Sequence, residues 1–72
     1  MTRYFWDFYG PHAERTAQHF QRHLESFLAE HACSGCSTGT ESNGTAHWAA
    51  YCDTPPEHEQ VILRALRPRR KL

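Results

Sequence analysis

Residues 45–53, Thr-Ala-His-Trp-Ala-Ala-Tyr-Cys-Asp, constrain the fold more than any other stretch of this chain. Side chains alternate across a strand, so 46, 48, 50 and 52 (Ala, Trp, Ala, Cys) share one face while 45, 47, 49, 51 and 53 (Thr, His, Ala, Tyr, Asp) share the other. One face is apolar and the other mixed, which is the pattern of a strand covered on one side only. Such a strand needs partner strands beside it and helices over its apolar face, and the rest of the chain supplies both.

Thr2–Tyr9 is rich in aromatics and is ended by Gly10-Pro11, as expected of a first strand. Tyr4, Trp6 and Phe8 form one face; Phe5, Asp7 and Tyr9 form the other. The first set is assigned to the core, because burying an unpaired Asp7 would be expensive. Pro11 suits a first helical turn. From there Ala13, Ala17, Phe20, Leu24, Phe27, Leu28 and His31 recur at three- and four-residue steps, predicting an amphipathic helix to about Ala32 with Gly35 as its left-handed stop. Asn43-Gly44 predicts a two-residue hairpin turn joining a short edge strand, Ser37–Ser42, to the strand at 45–53. Thr54-Pro55-Pro56-Glu57 reads as a helix start, with Thr54 as cap, Pro55 in the first turn and Glu57 completing a capping box. Val61, Ile62, Ala65 and Leu66 form that helix's apolar stripe, and Pro68 ends it. The tail Arg69-Arg70-Lys71-Leu72 is expected to fray.

The order is therefore strand, helix, strand, strand, helix. A right-handed crossover from the first strand to the second leaves a gap that the third strand fills. The expected fold is α+β: a three-stranded sheet in the order 1-3-2 with two helices packed on one face, a ferredoxin-like arrangement lacking its last strand. Residues 1–68 form one domain and 69–72 a basic tail. An arrangement of this kind carries no function by itself.

Size and charge bound the function. A chain of 72 residues builds one thin core and leaves no room for a deep catalytic cleft. Three cysteines, an odd number, fit a reducing compartment, and the absence of a long apolar run gives no membrane span, so a cytoplasmic chain is expected. The formal charge of zero hides an asymmetry: residues 1–63 hold three Arg against all eight acids, net −5, and residues 64–72 hold four Arg and one Lys, net +5.

The mixed face of the sheet is the first candidate site. Phe5, Asp7 and Tyr9 should lie beside His47, Ala49 and Tyr51, and exposed aromatic patches mark contacts. The expected role is homodimerisation, or docking of another protein, which would also enlarge a small buried area. Some sheets of this kind stack RNA bases on aromatics of their first and third strands. Here the third strand lacks the basic-Gly-aromatic pattern, Asp7 repels phosphate, and only Arg67, Arg69, Arg70 and Lys71 could hold one, so nucleic acid is disfavoured.

Cys33-Ser-Gly-Cys36 is the sharpest local motif. Two thiolates at this spacing can grip Zn²⁺, with Cys52 and one of His31, His47 or His58 completing the shell. Parity opposes one of those sets, since Cys52 and His47 point to opposite faces of a strand, and no second Cys-x-x-Cys is present. Thioredoxin-type chemistry is disfavoured because the pair follows a helix, whose negative end raises a thiol pKa. On the first helix His12, His19, His23 and Glu30 share a stripe, and His19 with His23 could chelate a divalent metal, although histidines so spaced are more often plain surface. No nucleophile with an adjacent base and no phosphate loop is present; Asp7 and His47 should lie close enough on the open face for an acid/base pair, with no pocket expected around them. The expected function is thus a small binding or accessory module self-associating through the open face. The alternative is a zinc module organised by Cys33 and Cys36 with Cys52, and the third reading is a small enzyme using Asp7 and His47.

Overall fold

Alternation along two strands decides which residues meet the helices. The computed structural model describes residues 1–72. In chain order they form β1 (Thr2–Tyr9), α1 (Ala13–Glu30), β2 (Ser37–Ser42), β3 (His47–Thr54), a 3₁₀ turn at Pro56–His58 leading into α2 (Glu59–Leu66), and β4 (Arg70–Lys71). All pairings are antiparallel and the sheet order is β2-β3-β1-β4. β1 and β3 pair over their whole length, from Thr2↔Thr54 to Tyr9↔His47. Parity therefore turns Tyr4 and Trp6 with Ala50 and Cys52 toward the helices, where they join Leu24 and Leu28 of α1 and Ile62 of α2 in one cluster. Both helices cover the same face, and the α+β class and the β1-β3-β2 adjacency are as expected.

The sheet has four strands, not three, and the tail does not fray. Arg70 pairs with Phe5 and Lys71 with Tyr4. The pairing is extended by the Arg69 N–H to the Phe5 carbonyl and the Leu72 N–H to the Arg3 carbonyl, each 2.8 Å. Without β4, the outer backbone groups of β1 would lack partners in the sheet; the tail satisfies several of them. The chain thus completes the strand-helix-strand-strand-helix-strand order of a split βαβ motif.

Three local expectations are corrected by backbone hydrogen bonding. First, α1 stops at Glu30, and its left-handed residue is Ala32 (φ 53°) instead of Gly35. Cys33 N–H bonds Leu28 C=O at 2.9 Å and Ala32 N–H bonds Ala29 C=O at 3.3 Å, a Schellman ending that tucks Cys33 against Leu28 in the core. Second, the hairpin is not a two-residue Asn-Gly turn. Asn43 N–H bonds His47 C=O at 2.8 Å, so residues 44–46 form the loop and β3 begins at His47, not Thr45. Third, Thr54 caps nothing: it is fully buried at the end of β3, with its hydroxyl 3.3 Å from the Cys52 carbonyl. The apolar stripe of α2 is narrower than expected. Ile62 is buried and Leu66 half-buried against the sheet, while Val61 and Ala65 face outward. Glu59 instead turns inward to accept the Tyr4 hydroxyl at 2.7 Å, and Trp6 Nε1–H donates to the Leu66 carbonyl at 2.8 Å.

Candidate interaction face

The face away from the helices carries Arg3, Phe5, Asp7 and Tyr9 from β1 and His47, Ala49, Tyr51 and Asp53 from β3, flanked by Gly39 and Glu41 of β2 and Arg70 of β4. Two similar assemblies fill it. In one, Arg3 lies opposite Asp53 and makes a bidentate pair with it, Nε to Oδ1 at 2.6 Å and Nη2 to Oδ2 at 2.9 Å. The same guanidinium sits 3.9 Å from the centroid of the Tyr51 ring. That ring lies over Gly39, where any Cβ would overlap it.

In the other assembly, Arg70 donates Nε to Asp7 Oδ2 at 2.8 Å and Nη2 to Asp7 Oδ1 at 2.6 Å, and its guanidinium lies 4.3 Å over the Phe5 ring. His47 Nε2 reaches Asp7 Oδ1 at 2.8 Å, and Tyr9 stacks on the imidazole with centroids 4.4 Å apart and planes 14° apart. Planar guanidinium groups suit both jobs, because they match a carboxylate fork and stack on aromatic faces. The result is a face with little bare hydrocarbon at its centre: Phe5 is 5% exposed, whereas Tyr9 at the rim is 73% exposed.

The charges on this face are fixed. Asp7 is held below the ordinary carboxylate range chiefly by the Arg70 hydrogen bonds, with burial opposing and His47 adding to the effect. Asp53 is lowered in the same way by Arg3. A carboxylate already engaged by Arg70 and His47 is a poor proton acceptor, so the Asp7–His47 contact reads as scaffolding for the face.

The five residues singled out from sequence, Phe5, Asp7, Tyr9, His47 and Tyr51, share this one face. Asp53 has the parity of the same face, and Arg3 of β1 follows by the same alternation without having been singled out; Gly39 and Arg70 carry no such signal, Arg70 because it sits in a segment with no period.

The three thiols gather at the opposite side of the sheet. Cys33 and Cys52 are buried and Cys36 is half-buried against the same core. Burial pushes the Cys36 thiol up to about 11, with the neighbouring Cys52 and Cys33 sulfurs adding to it, and burial likewise raises Cys52. Neutral thiols are poor nucleophiles and must lose their protons to ligate a metal. His47 lies on the far face, bound to Asp7, and His31 leans on the Phe27 ring with centroids 4.2 Å apart. No three His, Cys, Asp or Glu side chains converge to hold a metal ion.

No protein family, curated protein or solved structure matches the chain. No helix is long and apolar enough to cross a membrane.

Proposed function

We propose that this chain is a small binding or accessory module that self-associates through its open sheet face, the occupant being a second copy. The observation that carries this reading is the opposite charge of the two sheet edges. On the open side the β4 edge bears Arg69 and Arg70, beside Asp7 and Tyr9, while the β2 edge bears Glu41, which lies 3.7 Å from Arg3. If two copies stack open face to open face about a two-fold axis parallel to the strands, β4 of one lies over β2 of the other, and the match occurs twice. Such an interface is self-complementary, as a two-fold dimer requires. The arginine–aspartate pairs at its centre already satisfy each other, so covering them strands no lone charge. Tyr9, 73% exposed at the rim, adds aromatic surface for a partner to cover.

The test is native mass spectrometry of the untagged protein over a range of concentrations. The expected result is a metal-free dimer that Glu41→Arg dissociates and that Glu41→Arg combined with Arg69→Glu restores. A monomer at every concentration, or a dimer indifferent to the charge swap, overturns the reading. A stoichiometric zinc adduct that vanishes on denaturation moves function to Cys33, Cys36 and Cys52.

A further inference from the structure

The outer side of α1 carries two imidazoles whose nitrogens stand at chelating distance. His19 and His23 are one turn apart and exposed, and their Nε2 atoms are 3.0 Å from each other. The rings meet edge to face, at 67° with centroids 4.5 Å apart. The helix holds the pair in place, because Leu24 is in the core and Phe20 packs against it, each next in sequence to one of the histidines. The spacing is the one that sets two side chains over each other on a helix surface.

A 3.0 Å separation between imidazole nitrogens is also the bite of a chelate. With metal–nitrogen bonds of about 2.0–2.1 Å it subtends roughly 91–97° at the ion. That is close to the right angle between adjacent positions of a square-planar or octahedral shell, and short of the tetrahedral angle that zinc prefers. We infer that His19 and His23 form a two-donor site for a divalent cation of the nickel(II) or copper(II) class, with water or an anionic co-ligand in the remaining positions. Arg22 and Ser26 line the same shallow depression as the two histidines. The arginine opposes a bare cation and favours one that arrives with an anion. Binding requires both Nε2 lone pairs, so the ring that donates in the metal-free pair shifts its proton to Nδ1; both rings then coordinate as neutral imidazoles and no other group need titrate.

The experiment is a calorimetric titration of the full untagged chain with nickel(II) chloride, an ion that does not oxidise thiols, followed by NMR to see which resonances the paramagnetic ion broadens. One equivalent should bind, with broadening centred on His19 and His23. His19→Gln and His23→Gln should each weaken binding about tenfold or more, since each removes the intramolecular second contact, and His31→Gln should change nothing. Both substituted side chains are exposed, so the fold is retained. Unchanged affinity in either variant, or broadening centred on His12, His47 or Cys36, overturns the site. Zinc binding as tight as nickel binding overturns its assigned geometry.

Discussion

The two faces of one sheet bury their aromatics by different means. On the helix side, Tyr4 and Trp6, 2% and 5% exposed, are covered by Leu24, Leu28 and Ile62. On the open side, Phe5 is equally buried at 5%, yet no helix approaches it; the Arg70 guanidinium covers the ring while binding Asp7. The first kind of burial rests on close packing of apolar volume, the second on oriented charge-assisted bonds from a two-residue strand. A domain this thin keeps one face polar while leaving little aromatic surface in water at its centre. The two faces should therefore fail differently when perturbed.

The largest effect belongs to the packed side. Ile62→Ala, at a fully buried position, should destabilise the domain by about 3 kcal/mol through lost burial and the cavity left behind, measured by urea denaturation. A loss under about 1 kcal/mol would show that α2 contributes little to the core and that the contrast between faces is overdrawn.

On the open side, Arg70→Ala should cost less, about 1–2 kcal/mol, because the arginine is 42% exposed and part of its bonding is replaced by water. Arg70→Lys sharpens the point. It keeps the charge and loses the bidentate fork and the flat stack on Phe5, so it should recover little of that stability. Full recovery by lysine would reduce the assembly to simple charge attraction.

Acid separates the faces further. Asp7 and Asp53 titrate below the ordinary range when folded, so their stabilising contribution is complete above about pH 4 and is lost as pH falls below it through the depressed folded values. Protonation removes only the ionic part of these bonds. The decline in urea midpoint on acidification should be shallower in Arg70→Ala than in the parent chain; an equal decline would place the acid sensitivity elsewhere.

The smallest effect returns to the helix side and has the opposite sign. Ala32 holds a left-handed conformation at the end of α1, so Ala32→Gly should stabilise by about 0.5–1 kcal/mol in the same denaturation assay. Destabilisation instead would mean that the Schellman ending does not hold Cys33 in place.

Much of this is legible in the sequence. Period two in β1 and β3 separates Tyr4, Trp6 and Cys52 from Phe5, Asp7 and Tyr51, and the same period put the five candidate face residues together. Period 3.6 placed α1 from Ala13. The errors fell where a position had no period or where two local signals competed. Gly35 has the residue type of a left-handed stop, yet backbone bonds to Leu28 and Ala29 give that role to Ala32. Thr54 had the type and spacing of a cap, and its burial beside Cys52 at the end of β3 took it out of that role.

What the sequence by itself determined is the face each strand residue occupies and the neighbour each strand must have, because alternation and helical period are local properties of the backbone. What only the tertiary structure decided is the fate of Arg69–Leu72. Read alone, these residues are a charged, aperiodic end. Arg70 and Lys71 become β4, with Arg69 and Leu72 extending its backbone bonds, because β1 presents unpaired backbone groups beside them, and Arg70 then finds Asp7 and Phe5 within reach, 63 and 65 positions away along the chain. A partner that distant leaves no mark on local pattern.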